Sequence, residues 1–498
     1  MSNNNLMKNF ITNHINADIK KGNYKELAFR FPPEPNGFLH LGHAKSIILN
    51  SYLAKEYGGK LYLRLDDTNP ETEKDSYVKA IIDDSKWLSL KEFDYITYTS
   101  DYFDDIYNAA VFLIKDGKAY VDLSTEDEIK NSRGGFGKPD KASAYRDASI
   151  EANLCLFADM KSGKYKDGSA VLRAKIDLSN PNMNLRDPIM YRIKHMSHYR
   201  SGEKWCIYPM YDFAHPLGDC IEKISHSLCT LEFEDHRALY DWYVDNCYPI
   251  FNWKPIELEF SRLDIEGVNL SKRKLLNIVE TKNISWDNPV MPTISAMRNK
   301  GLTPDVLIDF ILKCGFSKVN SLIGMDVFEE SVRTIHKKAD RIFAILDPIE
   351  LRFETNSIVD TVFIDKSDTM KHPTPDFWRV YEGNWTRLKH GFNFLTKEIN
   401  DDFILAEVDE GSVDMKLAKE KAKVALHWLK PDNLSKITLK IYSPLIINDT
   451  YNPNCVIEKE ILIDKSFVTN KVYEFERVGF AYIDDSGVAH LLSYLKNK

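Results

Sequence analysis

Over the first hundred residues, short apolar runs alternate with a helical period, and their order predicts a parallel sheet. "ELAFRF" (26–31) reads as a short buried strand. "PPEPNG" stops it, because proline fixes φ and removes a donor while Asn-Gly turns the chain. From Gly42 the apolar residues Ala44, Ile47, Ile48 and Tyr52 fall at helical spacing. Gly58 and Gly59 end that helix, and "LYLRL" (61–65) is a second short strand. Strand, helix and strand in this order make a βαβ unit, which requires parallel pairing. Ligands of such sheets bind at the carboxyl ends of the strands.

The pattern changes three more times. Residues 101–210 are mixed: "YRDASIEANLCLFADMKSGKYKDGSAVLRAKID" alternates helical and strand periods. Residues 262–346 read as mainly helical. There "TPDVLIDFILKCG" sets Pro304 near the first helical position and Gly315 at the end, and "VFEESVRTIHKKADRIFAIL" continues the period. Beyond Pro348 come short β-rich runs separated by turns, among them "TVFID", "DFILAEV", "KITLKIY" and "KVYEFERVGFAYI", which predict antiparallel barrels. No internal repeat or low-complexity linker interrupts them.

Composition narrows the class. A chain of 498 residues has room for three or four domains. With 43% hydrophobic and 28% charged residues it reads as an ordinary globular protein. A net charge of −8 argues against a general polyanion binder, though a local basic stripe stays open. The seven cysteines are scattered and form no C-x-x-C pair, so structural zinc and a disulfide framework are not expected and reduced thiols are. The start, "MSNNNLMKNF", has no signal-peptide core, and no apolar run reaches the ~18 residues of a membrane span. A cytoplasmic setting is expected.

Two stretches carry candidate chemistry. In "HLGH", His40 and His43 stand where a helix begins, at the ligand edge of the sheet. A helix N-terminus attracts anions, two imidazoles can donate to phosphate oxygens, and Gly42 lets a flat group approach the backbone. The plain alternative is two loop histidines beside a turn. In "GVNLSKRKL" (267–275), three consecutive cations follow a serine. That is a solvated basic turn, or a mobile loop that brings Lys272 onto phosphates as charge develops.

"HLGH" resembles the HIGH motif and "NLSKR" the KMSKS motif of class I aminoacyl-tRNA synthetases. Together with "RFPPEPNGFLHLGHAKSIILN", "LRLDDTNPETE" and "KWCIYPMYDFAHPLGDCIEKISHSLCTLEFEDHRALYDW", they make residues 25 to 348 similar to the glutaminyl-tRNA synthetase family, within the glutamyl/glutaminyl subgroup. The resemblance implies an α/β fold with a Rossmann-like nucleotide-binding catalytic domain in two halves, 1–100 and 211–261. Between them would lie an inserted acceptor-end-binding domain, 101–210. A helical subdomain with the KMSKS-like loop (262–346) and C-terminal antiparallel β-barrel anticodon-binding domains (347–498) would follow. It implies ATP-dependent ligation of L-glutamine to the 3′ end of glutamine tRNA through a glutaminyl-adenylate, with release of AMP and pyrophosphate. Mg²⁺ would arrive with ATP and no metal would have a fixed protein site. His40, His43 and Lys272 would be catalytic. Glu34, Pro35, Asn36, His40, Gly42, His43, Arg262, Leu263, Leu270, Ser271, Lys272 and Arg273 would bind ATP. Arg30, Asp66, Tyr211, His215 and Cys229 would bind glutamine. Phe136, as a wedge in the loop 132–143, Asp235 and Arg341 would contact tRNA. A monomer is implied.

The amino-acid pocket decides between glutamine and glutamate. Asp66 suits an α-ammonium group, Arg30 is the natural partner of a carboxylate, and Tyr211 can donate to and accept from an amide. Seen alone, Asp66 and Asp67 could cap a turn and Tyr211 could be a core aromatic. His215 and Cys229 replace a cysteine and an arginine of the related glutamyl pattern, so a glutamate side chain would lack its partner. Glu257, in "ELEFSR", departs from the usual Gln; it could accept from the amide or turn outward. The Lys-rich run "DMKLAKEKAKVALHW" could face phosphates or be a solvated face. The rival readings are a glutamyl enzyme, a catalytically silent tRNA-binding paralogue, and a nucleotidylyltransferase, whose chains have no need of the β-rich tail.

Overall fold

The computed structural model describes residues 9–135, 137–354, 361–409 and 421–495. Helix α1 (Phe10–Lys21) precedes the first βαβ unit. In that unit β1 (Ala28–Phe31), β2 (Lys60–Leu65) and β3 (Tyr95–Tyr98) pair in parallel, joined by α2 (Leu41–Glu56) and α3 (Asp75–Leu88). The two glycines after α2 act differently. Gly58 takes a left-handed φ of +63°, while a Cβ on Gly59 would stand 2.8 Å from the Leu27 carbonyl oxygen.

An antiparallel sheet then interrupts the unit: β4 (Ala119–Asp122), β5 (Val171–Ala174), β6 (Ile189–Ile193) and β7 (Ile207–Pro209), in that order. It has a core of its own around Phe103, Phe157, Trp205 and Tyr208. From β7 the chain enters the helix Tyr211–Ile221 and returns to the first sheet as β8 (His226–Thr230) and β9 (Ile256–Phe260), again parallel. β8 lies against β1: the Ser225 N–H donates to the Ala28 carbonyl at 3.0 Å, and the Ala28 N–H donates back to Ser225 Oγ at 3.0 Å. The spatial order is therefore β3-β2-β1-β8-β9. Its sequence order reverses between β1 and β8, the crevice where open parallel sheets take their ligands.

The helices Pro304–Cys314 and Met325–His336 pack on this sheet's core through Phe310, Ile311, Phe328 and Val332. Thr303 and Gly315 bound the first of them, as the sequence indicates. The helical period expected to run to 346 stops at His336. Asp340–Ile342 and Ala344–Ile345 are instead strands of a seven-stranded C-terminal sheet. They form its two opposite edges with only Phe343 between them, so the chain itself closes that sheet into a barrel. A six-stranded sheet formed by 348–426 is nearly closed by a bridge from Phe363 to Leu429. Both sheets are mainly antiparallel, as expected. Each also contains parallel pairings, such as Pro348–Phe353 with Phe403–Val408, where sequence-distant strands meet. The first seven residues of the Lys-rich run (414–420) and Phe136 lie outside the described residues. All seven thiols are unpaired, and among the described residues no helix is long and apolar enough to cross a membrane.

Candidate active site

The crevice between β1 and β8 opens into a cavity of about 920 Å³. One wall is the start of α2. His40 is its N-cap, and its Nδ1 accepts from the Gly42 N–H at 3.1 Å; His43 Nδ1 accepts from the His40 N–H, also at 3.1 Å. With both Nδ1 atoms accepting, each neutral ring carries its proton on Nε2. Burial, with Lys272 nearby, lowers the His40 pKa to about 4; burial, His40 and Lys272 hold His43 well below its usual value. The pair therefore offers two neutral N–H donors rather than two charges. The ring centroids are 3.9 Å apart, and a Cβ on Gly42 would stand 2.8 Å from His40 Cε1.

Lys272 opens the helix Lys272–Lys282 and reaches back over the proline-rich loop, where a Cβ on Gly37 would stand 2.8 Å from its Cε. Burial lowers its pKa to about 8, against the pull of Glu34. Glu34, Gly42, Leu263, Leu270 and Ser271 line the cavity with the histidines. Arg262 lines it too, but already pairs with Asp264 at 2.8 Å and with Glu232 at 3.4 Å. Four residues expected at the nucleotide are not in the wall: Pro35 and Asn36 shape the loop behind it, Lys272 lies over Gly37 of that loop, and Arg273 is exposed.

The other end holds Asp66, Tyr211 and Cys229. Asp66 follows β2; its Oδ1 is buried without a hydrogen bond, and burial raises its pKa to about 7. Tyr211 begins its helix, with its ring 5.4 Å from Phe233 and 5.2 Å from His215. Arg30 and His215, expected at the substrate, are not in the wall but directly behind it. The fully buried Arg30 guanidinium donates to Asp219 at 3.0 Å, the Leu228 carbonyl at 3.0 Å and Ser227 Oγ at 2.7 Å. Its Nη2 is also 2.5 Å from His215 Nε2, which must therefore be an acceptor. Burial would raise the Asp219 pKa, but Arg30 and Arg64 hold it well below the usual carboxylate range. These groups brace Tyr211 and Cys229 from behind.

Glu257 has not turned outward. It is buried beside Cys229 with Oε2 unpartnered, and burial raises its pKa to about 7. Ligand atoms of His215, Cys229 and Glu257 lie within 4.8 Å of one another, the spacing of a metal site. The Arg30 Nη2, 2.5 Å from His215 and 3.5 Å from Cys229, already supplies the cation there.

Three groups in the wall were not singled out from sequence: Lys45, Phe233 and Arg192. Lys45 sits two residues beyond His43 on an otherwise apolar stretch, which was a usable signal. Its Nζ donates to Ser261 Oγ at 2.9 Å, and burial lowers its pKa to about 8. Asp235 and Arg341 stand away from the cavity. The Asp235 carboxylate is exposed on the turn Leu231–His236, and Arg341 pairs on the distal barrel with Glu474 at 3.0 Å.

A parallel sheet with two histidine donors at its switch point and a buried carboxylate with a free oxygen opposite has the layout of a nucleotide-dependent enzyme that takes an amine-bearing substrate. Residues 26–334 match the family described as tRNA synthetases class I (E and Q), catalytic domain. A glutamine–tRNA ligase of Clostridium kluyveri is 40% identical over 97% of this chain and 95% of that protein. One of Neisseria meningitidis is 39% identical over 95% and 94%. A solved glutamate-tRNA synthetase from Elizabethkingia anophelis overlays with a TM-score of 0.46 at 18% identity, covering 63% of this chain and 71% of that one. The chain belongs to the class I tRNA synthetases of the glutamate and glutamine group and, within that group, to the glutamine–tRNA ligase family.

Proposed function

We propose that the chain joins L-glutamine to the 3′ end of glutamine tRNA in two ATP-driven steps at this cavity. First, a carboxylate oxygen of glutamine attacks the α-phosphorus of ATP; the bond to the pyrophosphate oxygen breaks, leaving glutaminyl-adenylate. Next, a hydroxyl of the terminal tRNA ribose attacks the glutaminyl carbonyl carbon, AMP leaves with the bonding pair, and the hydroxyl proton passes to the departing phosphate or to water. The ATP already carries the leaving group, so the protein's work is positioning and charge stabilisation. The His40 and His43 Nε2–H groups donate to the α-phosphate as it becomes five-coordinate, and Lys272 follows the charge toward pyrophosphate. Asp66 takes the α-ammonium.

The observation that carries the reading is the pairing of ends: a buried carboxylate with an unpartnered oxygen at one end of the cavity and two neutral donors at the other, with Lys272 close to them on the adjoining loop. Glutamine is favoured over glutamate because the cation behind Tyr211 and Cys229 is spent on Asp219, while Glu257 adds a carboxyl on that side. A glutamate side chain would bring a second anion there without a partner; an amide brings donors and an acceptor. At the phosphate end the acids Glu232 and Asp264 are tied to Arg262, leaving no three-carboxylate cage. Mg²⁺ fits as an ion brought on the nucleotide, not as one held by this chain. The inserted module would hold the acceptor end of tRNA, with Asp235 facing its stem, and the barrels with Arg341 would hold the anticodon arm.

The test is charging of glutamine tRNA and glutamate tRNA, each with labelled glutamine and labelled glutamate. Glutamine on glutamine tRNA alone is expected. Glutamate charging would overturn the substrate assignment and point first to Glu257.

A further inference from the structure

We propose that Arg192 binds a phosphate of the tRNA acceptor strand as the 3′ end enters the cavity, an inference that rests on the reading above. Arg192 lies on β6 of the inserted sheet and lines the cavity. Its neighbours in that module are neutralised: Arg173 by Asp122 at 2.9 Å, Arg186 by Asp140 at 3.2 Å, Arg200 by Asp101 at 2.8 Å, and Lys194 by Glu71 at 2.6 Å. Arg192 has no such carboxylate among the described residues. Its Nη2 donates to Asn69 Oδ1 at 2.8 Å, and its Nε is buried with no hydrogen-bond partner.

That one contact aims the group. Asn69 is itself fixed, its N–H donating to Glu73 Oε1 at 2.6 Å and its Nδ2 to Thr72 Oγ1 at 3.2 Å. The result is a preoriented guanidinium with donors to spare and no carboxylate in contact, in the wall of a substrate cavity; Glu71, the acid that feels its charge, is bonded to Lys194. A buried donor without a partner is costly, and a guanidinium fork matches an oxyanion. Two oxyanions could meet it: a phosphodiester, or the carboxylate of the amino acid. The phosphodiester is the better occupant. The amino-acid carboxylate must keep an oxygen free to attack phosphorus, and Asp66 already anchors that substrate by its ammonium. Arg192 also belongs to the module that stands outside the nucleotide fold. The ATP phosphates have their own donors at the start of α2.

Arg192→Gln and Arg192→Lys should be compared with wild type for tRNA binding without glutamine or ATP, across a salt series, and for KM of glutamine and ATP at saturating tRNA. Arg192→Gln should weaken tRNA binding roughly tenfold or more. It should also make the slope of log K against log salt shallower by about 0.7, the value for one contact to a single strand. Arg192→Lys should fall between the two, and both KM values should hold. Unchanged tRNA binding overturns the proposal, as does a rise confined to the KM for glutamine, which would assign the guanidinium to the amino-acid carboxylate. Binding is measured without the amino acid, so this result is read separately from which amino acid the wild type charges.

Discussion

In the proposed reaction the histidines would act as fixed donors, because each Nδ1 is taken by the backbone, whereas Lys272 would act by charge, and the two roles separate experimentally. His43→Ala removes one donor aimed at the developing charge, a loss worth about 10²-fold or more in such sites. Adenylate formation should fall by that much in pyrophosphate exchange while tRNA affinity holds; unchanged exchange would take His43 out of the chemistry. Lys272 loses its proton at about 8 in the free enzyme, so kcat/KM for ATP should decline above that pH. Lys272→Arg should flatten the decline, and a decline that survives it would belong to another group. H-x-G-H was legible because its hydrogen bonds close within three residues. The commitment of Arg30 was not, because Asp219 lies 189 residues away and only the fold brings them together. Lys45 stood out as a lone lysine in an apolar helix, but its contact with Ser261, 216 residues away, was not legible from sequence.

At the scale of elements, the cap of α2 and the proposed catalytic geometry are the same object. A side chain at Gly42 would meet the His40 ring at 2.8 Å, and the ring would have to swing off the Gly42 N–H. Gly42→Ala should therefore cost about 1 kcal/mol in stability, as a lost N-cap does. It should also cost roughly tenfold or more in kcat/KM for ATP, since the Nε2–H would turn with the ring. Thermal unfolding and exchange kinetics measured side by side check this; a stable variant with full activity would uncouple cap from catalysis. The first βαβ unit and the helix Pro304–Cys314 were legible because periodicity, prolines and glycines agreed there. The strands at 340–345 were not: they are short, continue a helical-looking run, and exist only because the distal barrel supplies partners such as Tyr473 and Ile463. The parallel pairings inside the barrels were hidden for the same reason, since turn signals report only neighbours in sequence.

At the scale of the whole molecule, both walls of the cavity are held by structure from other parts of the chain. Phe38 of the proline-rich loop stacks on Trp286 at 6.1 Å, and they share a core with Leu275 and Ile278 of the Lys272 helix and with Leu445 and Cys455 of the distal barrel. Across the cavity, His198 of the β6–β7 hairpin meets the Asp67 carbonyl at 3.0 Å and lies 3.4 Å from Glu73. This assembly encloses several acids that burial keeps protonated to higher pH than usual: Asp66 and Glu257 to about 7, and Glu73 to about 10. A carboxyl whose pKa is raised on folding takes up a proton when the chain folds. Its contribution is complete below the unfolded value near 4 and is lost as pH rises through the folded value. For Asp66 and Glu257 the loss falls between about pH 4 and 7. The contribution of these two carboxyls should therefore lower the melting temperature of the free enzyme at pH 7.5 relative to pH 5.5 by roughly 2 °C or more, against the opposite contribution of the histidines that burial depresses. Asp66→Asn and Glu257→Gln should each reduce that difference. Glutamine should act with the opposite slope: an α-ammonium on Asp66 requires the ionised carboxylate, so added glutamine should raise the melting temperature more at pH 7.5 than at pH 5.5. Asp66→Asn should abolish this ligand effect, whereas Glu257→Gln should keep most of it. Equal stabilisation by glutamine at both pH values would mean that Asp66 is not the group that receives the ammonium.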